Sequence, residues 1–377
     1  MLIPETKMDI PEKLFSNDKI VVISHNDLDG VGPNLLCAFY KKFMKCNYDF
    51  EIINCSYDNV NEIVMQTLRR DDFNDSAISK VKYFVIADLS VSAETAEEID
   101  KLNKAGIVKP YLFDHHVDRN GLSKYDWCVI QVEQPKAKWY SDVPDLKSGT
   151  KFFYEFLVHI LNLEEDKTFA EALVDMITYY DTWYWKTILG ENENPEYNFI
   201  DVQIAKCAKK LNSLYYLYGK EDFIEAILAI VEKTDEKGLG DFIGELMNFL
   251  IQFDPIERNT NKKTEYYASN EEKIIRLNVE VPNIGEVRVG CIFYDEDISN
   301  MGNLIAEKYP DIDIAAVIQL KTNKISYRSV KETPQADCGA LASFLGGGGK
   351  FHTAGSQIIP ELKHVFAAMI IEQSIDI

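Results

Sequence analysis

The sequence predicts an α/β protein: a parallel-sheet N-terminal domain, a helical connector and a smaller C-terminal α/β domain, with a cleft between the two lobes. Three observations lead there. The 377 residues exceed what one core of typical size holds. The first half alternates apolar runs of strand length with segments of helical period, the pattern of crossover units. After a polar stretch at 257–263 (E-R-N-T-N-K-K), strand-like and helix-like runs alternate again over roughly a hundred residues, an ordinary domain size.

In chain order, the runs 20–24 (I-V-V-I-S), 50–55, 83–88 (Y-F-V-I-A-D) and 111–114 (Y-L-F-D) read as buried strands, with helices near 31–45, 58–70 and 92–105 between them. Three of these strands end on polar or ionisable residues, at the edge where open parallel sheets bind ligands. From 151 to 257 the pattern is mainly helical, with amphipathic stretches such as 222–232. Further strands are expected near 272–280, 286–293, 312–320 and 324–329, and helices near 300–308 and 337–345. The expected domains are 1–190, 191–265 for the connector and 266–377.

Composition narrows the function. With 46% hydrophobic and 27% charged residues the chain is an ordinary globular one. Forty Lys and Arg against 61 Asp and Glu leave a net charge of -21, which repels long nucleic acids but admits a fragment with few phosphates. Seven Cys without any C-x-x-C argue against a disulfide framework and a structural zinc site. The start, M-L-I-P-E-T-K-M-D-I-P, has no leader pattern, and no segment reaches the ~18 apolar residues of a membrane span. A cytoplasmic protein without membrane contact is expected.

Four clusters carry chemistry. In S-H-N-D-L-D-G, after the first strand, alternate residues of an extended segment share a face, so His25, Asp27 and Asp29 can converge. An imidazole and two carboxylates suit a divalent cation such as Mn, and a turn with a helix cap accounts for the string equally well. Asp88 closes the third strand, where a lone Asp is more often a cap. Asp114, His115 and His116 follow Y-L-F, and three adjacent ionisable groups are costly to bury without a metal or anion, unless the loop is exposed. Asp181, in Y-Y-D-T-W, alone reads as a helix end with aromatics on the core. Gathered empty, Asp27, Asp29, Asp88 and Asp181 would repel one another, whereas two divalent cations neutralise four carboxylates. A pair about four ångströms apart is what two-metal phosphoryl hydrolysis needs. In the last domain, 321–331 holds four basic residues and no acidic one, and 344–356 reads F-L-G-G-G-G-K-F-H-T-A-G-S. Arg328 suits a phosphate, and the glycines suit either an anion cradle or a flexible turn. This is not a P-loop, because Phe344 and Phe351 stand where it needs Gly and Ser or Thr.

With these residues in view, the chain resembles the DHH family of phosphoesterases: H-x-D-x-D-G at 25–30, a lone Asp88, Asp114-His115-His116, a late Asp181, and S-Y-R-S with the glycine run similar to the DHH-associated nucleotide-binding domain. The wording S-H-N-D-L-D-G-V-G with Y-D-T-W is nearest to the oligoribonuclease B (nanoRNase) type, which degrades very short RNAs to mononucleotides. The resemblance implies two Mn2+ ions, one on His25 and Asp27, the other on Asp29, His115 and Asp181, with Asp88 bridging. It implies that His116 contacts the scissile phosphate, that Asp114 orients a neighbouring His, and that water attacks phosphorus without a protein nucleophile. Arg328, Ser329 and the backbone of Gly347, Gly348 and Gly349 would grip a phosphate or terminal nucleotide. The family has His directly after its glycines; here Lys350 stands there and His352 follows two residues later, so either can take that role.

The expected activity is Mn-dependent exonucleolysis of short single-stranded RNA. Cyclic dinucleotide or 3'-phosphonucleotide cleavage, a RecJ-like exonuclease on single-stranded DNA, and an inorganic pyrophosphatase are the alternatives, and a silent nucleotide sensor would have lost a metal ligand. All six expected ligands are present. The connector suits either narrowing of the cleft or homodimerisation. One of Trp183, Tyr184 and Trp185 is expected near the cleft.

Overall fold

In the computed structural model the chain forms two compact units, Met1–Phe253 and Asp254–Ile377. The described residues are 18–43, 48–74, 81–118, 120–131, 146–162, 169–190, 197, 199–234 and 238–358; the N-terminal stretch and residues 44–45 of the first expected helix lie outside them. No helix among them is long and apolar enough to cross a membrane.

The first unit opens with β1 (Lys19–His25), α1 (Leu28–Phe43), β2 (Asp49–Cys55), α2 (Val60–Leu68), the short α3 (Asp71–Asn74), β3 (Val81–Ala87), α4 (Ala93–Lys104), β4 (Pro110–Asp114) and β5 (Cys128–Ile130). The strands form a wholly parallel sheet in the order β2-β1-β3-β4-β5. Its central strands are apolar at nearly every position because both faces are covered. Ile20, Val22, Tyr83, Val85, Tyr111 and Phe113 point to one side and Val21, Ile23, Phe84, Ile86 and Leu112 to the other. Of these five strands only β5 was missed; three residues are too short for a periodic signal.

The first face carries α1 with α5 (Gly149–Leu161), α6 (Phe169–Asp181), α7 (Tyr184–Ile188), α8 (Phe199–Tyr218), α9 (Lys220–Thr234) and α10 (Leu239–Ile251). Leu211, Phe223 and Leu246 of α8 to α10 are wholly buried in the same core. Those helices, read from sequence as part of a connector, are therefore a layer of the first unit. The polar run at 257–263, placed by sequence at the end of the connector, is the middle of α11 (Asp254–Ala268) and belongs to the second unit. It contains neither Gly nor Pro, Pro255 suits the first turn, and Thr264 and Ala268 supply the buried side.

The second unit continues with β6 (Ile275–Val281), β7 (Gly285–Phe293), α12 (Ile298–Lys308), β8 (Ile314–Gln319), β9 (Lys324–Arg328), α13 (Cys338–Phe344), β10 (Gly348–Gly349) and β11 (Thr353–Gln357). The sheet runs β10-β11-β9-β8-β7-β6, with β7 and β8 parallel across α12 and the other neighbours antiparallel. The glycine run, expected as a cradle or turn, builds a hairpin in which Gly348 pairs with Gly355 and Gly349 with Ala354. A Cβ on Gly347 would stand 2.0 Å from the Gly355 carbonyl oxygen, so glycine is needed there for close backbone approach.

Candidate metal centre

Strand register assembles the centre. Ser24 of β1 pairs with Ala87 of β3, and Ala87 pairs with Phe113 of β4, so the next residues, His25, Asp88 and Asp114, leave the sheet at one level. The chain passes from β1 to β2 on one side and returns as β3 on the other, which makes the carboxyl end of β1 a topological switch point, where open α/β sheets bind ligands.

Three groups of donors gather there, each with its atoms within 4.8 Å of one another: His25, Asp27 and Asp88; Asp29, His115 and Asp181; and Asp88, His115 and His116. Nδ1 of His25 is 2.9 Å from Oδ2 of Asp27 and 3.7 Å from Oδ2 of Asp88. Nε2 of His115 is 3.4 Å from Oδ1 of Asp88, 3.8 Å from Asp29 and 3.2 Å from Asp181. Asp88 thus turns Oδ2 to His25 and Oδ1 to His115. All six expected ligands converge, and Asp181 does so from the last residue of α6 rather than serving as a bare helix end.

Local backbone demands explain the motif glycine. Gly30 donates its N–H to Oδ1 of Asp27 at 2.9 Å, and a Cβ there would meet the His25 carbonyl oxygen at 2.2 Å. Asp29 is buried and accepts the N–H groups of Gly149 and Thr150, at 2.7 and 2.9 Å, so the free amides at the start of α5 stabilise its charge. Asp88 adopts φ 59°, an unusual state for a non-glycine residue, and a Cβ on Gly149 would stand 2.3 Å from its own Cβ.

Asp114 is fully buried and belongs to none of the three groups. Its Oδ1 lies 2.6 Å from Nδ1 of His116 and its Oδ2 accepts the Ser90 hydroxyl at 2.5 Å. It orients His116. Tyr57, 45% exposed, brings its hydroxyl to His116 and its ring to within 5.1 Å of the His25 ring.

The charges are in tension. Burial, then Asp181 and Asp27, push Asp29 up to about 6, and burial with Asp29, Asp27 and Asp181 pushes Asp88 well above the carboxylate range. Burial also opposes ionisation of Asp27 and Asp114, but His25 and the Gly30 amide outweigh it for Asp27, whose side chain stays 37% exposed, and His116 does so for Asp114; both are lowered. Oδ2 of Asp88 is buried and accepts no hydrogen bond from any described residue. A buried carboxylate oxygen without a donor, among carboxylates and imidazoles that repel or compete, fits divalent cations, and the donor types suit a hard or borderline ion.

Sequence reasoning missed Tyr57, Ser90, Gly149 and Thr150. Tyr57 follows the carboxyl end of β2, and Ser148-Gly149-Thr150 is a helix start with Ser148 accepting from the Lys151 amide; position at a sheet edge and cap chemistry were the available signals.

In the second unit, Arg328 closes β9 and donates to the Tyr327 carbonyl at 2.8 Å and to Ser299 Oγ at 2.9 Å. Ser329 is buried, donates to the Ala336 carbonyl at 2.7 Å and lies 3.2 Å from Nδ1 of His352, whose Nε2 is 3.3 Å from Glu332. Lys350 follows β10, its amide donating to Thr353. Arg328, Ser329 and His352 therefore share one end of the β9 and β11 pair.

No family model matches the chain. It is 25% identical over 347 residues to Oligoribonuclease NrnB of Bacillus subtilis (strain 168), covering 92% of this chain and 74% of that protein. Among solved structures, RecJ of Thermus thermophilus in complex with Mn2+ is similar with a TM-score of 0.52 at 16% identity, over 96% of this chain and 52% of that one. A DHH domain from a protein described as a member of a family of ribosomal proteins gives a TM-score of 0.50 at 15% identity, over 94% and 86%. These two likenesses establish the fold. The chain therefore has the fold of a DHH domain, carries Asp114-His115-His116 at the end of β4, and is similar along most of its length to an oligoribonuclease.

Proposed function

We propose that the protein is a metal-dependent phosphodiesterase that hydrolyses short oligonucleotides, nanoRNA above all, to mononucleotides with two divalent cations, Mn2+ being the expected ion. The observation that carries this reading is Asp88, which turns Oδ2 to His25, grouped with it and Asp27, and Oδ1 to His115, which is grouped in turn with Asp29 and Asp181. His25 and Asp27 would hold one ion, Asp29, His115 and Asp181 the other, and Asp88 both. When bound, the ions supply an activated water and neutralise charge on the phosphoryl oxygens.

The chain's own part is positioning. Asp114 fixes Nδ1 of His116 and leaves Nε2 for a non-bridging oxygen of the scissile phosphate. The α5 amides keep Asp29 ionised within a crowd of carboxylates. In the second unit, Arg328, Lys350 and His352 would take the phosphates of a nucleotide, with Ser329 holding His352 and the Gly347 to Gly349 hairpin keeping the backbone low beside them. A short strand suits a protein of charge -21, since affinity for long strands grows with the number of phosphates neutralised. Similarity to an oligoribonuclease favours RNA.

The test is incubation of the purified protein with a labelled five-residue RNA, its DNA equivalent, pyrophosphate and cyclic di-AMP, each with Mn2+ and with chelator, beside Asp88→Ala. Stepwise Mn-dependent shortening of the RNA, abolished by Asp88→Ala, is expected. Turnover of pyrophosphate alone, or of cyclic di-AMP alone, would replace this substrate assignment.

A further inference from the structure

Two residues beyond Asp181 the chain does something costly. Trp183 adopts φ 60° and ψ 9°, the left-handed region that a bulky side chain rarely enters. Tyr184 and Trp185 pack against the core of the first unit; Trp183 belongs to no hydrophobic cluster among the described residues. Its ring instead stacks on Trp185, centroids 6.2 Å apart at 29°. The Lys186 ammonium lies 4.4 Å from the Trp183 centroid and 5.8 Å from that of Trp185, and the Lys209 ammonium lies 5.7 Å from the Trp185 centroid. Lys186 and Lys209 are exposed.

Packing does not explain this arrangement, because an indole that serves the core would be in it. Two indoles with two ammonium groups, in a protein of charge -21, form the pairing used to bind single strands without regard to sequence: a π-face for a base and a cation for the phosphate beside it. Two steps of 3.8 Å keep the Trp183 Cα within about 7.6 Å of the Asp181 Cα, and Asp181 Oδ2 is 3.2 Å from His115. Trp183 is thus rooted beside the candidate metal centre.

We propose that Trp183, backed by Trp185 and flanked by Lys186 and Lys209, is a stacking site for a nucleobase of the substrate strand next to the hydrolysed phosphodiester. The proposal rests on the oligonucleotide reading of the preceding subsection and adds a base-binding contact within the first unit. Any base can stack, so the site accepts all four.

The experiment compares wild type, Trp183→Ala and Trp183→Phe on a five-residue RNA and on a set of the same RNA with one base removed at each position in turn. Thermal melts first confirm folding. Trp183→Ala should raise KM about tenfold on intact RNA, Trp183→Phe should recover most of the loss, and the wild-type advantage should vanish on the one abasic substrate that lacks the stacked base. A wild-type KM for Trp183→Ala, or the same difference on every abasic substrate, overturns the proposal. If wild type hydrolyses no RNA, the binding of the dinucleotide pApA, read by indole quenching with chelator present, decides separately. An approximately tenfold weaker Kd for Trp183→Ala keeps the site while the hydrolytic reading falls; equal Kd values overturn the site.

Discussion

The Tyr57 hydroxyl lies 3.2 Å from Nε2 of His116, while Asp114 Oδ1 lies 2.6 Å from Nδ1 on the other side of the same ring. The same hydroxyl is 3.3 Å from Nδ1, so it is in line with neither ring lone pair, and Asp114 is the partner that fixes the ring. Asp114 thus holds the imidazole at Nδ1, and the Tyr57 hydroxyl lies beside the ring. Tyr57→Phe should lower kcat about fivefold to tenfold, the worth of one hydrogen bond, with a smaller change in KM. Steady-state kinetics on the five-residue RNA check it; an equal effect on KM alone would make Tyr57 a binding residue instead.

Charge repulsion at the centre gives a second expectation. In the metal-free protein Asp88 is surrounded by Asp27, Asp29, Asp114 and Asp181, and burial adds to the cost of its charge. Asp88→Asn removes one charge without changing shape. The variant should melt higher than wild type in chelator, and Mn2+, expected to raise the Tm of wild type, should leave that of the variant unchanged, because the carboxylate shared by two of the donor groups is gone. Activity should fall by at least about a thousandfold, as for removal of a group central to transition-state charge. Melting curves with and without Mn2+ separate the two effects.

Much of this was legible in the sequence, for a physical reason. Strands buried on both faces must be apolar throughout, so β1, β3 and β4 were visible as runs, and ionisable residues set against their ends stood out. What stayed hidden depends on partners distant in sequence. Nothing in Ser148-Gly149-Thr150 says that Asp29, 120 residues earlier, will accept from its amides. An amphipathic period in α8 to α10 says that one side is covered but not by what, so they read as a connector. The glycine hairpin escaped because β10 has two residues and no side chains to alternate.

In the second unit, Asp313 supplies a pH-dependent anchor. Arg288 holds it with two guanidinium hydrogen bonds of 2.8 and 2.6 Å, and Lys331 adds a third contact at 3.1 Å. Its side chain is 7% exposed, and the Arg288 pairing, opposed by burial, lowers it from the ordinary 3.8 to about 2. A lowered carboxyl binds its proton later in the folded state than in the unfolded one. The stabilisation is therefore complete above about pH 4 and is lost as pH falls through about 2. Arg288 is half exposed, so solvent screens the pairing and keeps its contribution modest. Asp313→Asn should lower the denaturant midpoint of the second unit at about pH 7, and the gap between variant and wild type should close between about pH 4 and pH 2. A gap that persists at the acid end would mean that packing, not charge, holds Asp313.

The last expectation concerns a missing proton. Pro33 lies inside α1 and has no N–H for the carbonyl four residues earlier, that of Asp29. The Thr150 hydroxyl donates to that carbonyl instead, at 2.5 Å, while Gly32 leaves room: a Cβ there would stand 1.8 Å from Thr150 Oγ1. The proline opens α1 and the threonine closes the opening, tying the Asp29 loop to the start of α5. Thr150→Val keeps shape and deletes the donor, leaving a buried carbonyl unsatisfied at a cost of about 1–3 kcal/mol. Pro33→Ala restores a helical N–H to the same carbonyl. The Thr150→Val penalty should therefore shrink by about half or more in the Pro33→Ala background, a coupling that a double-mutant cycle of chemical denaturation measures directly. Strict additivity would show that the hydroxyl acts through packing against Gly32 rather than through the carbonyl that Pro33 leaves open.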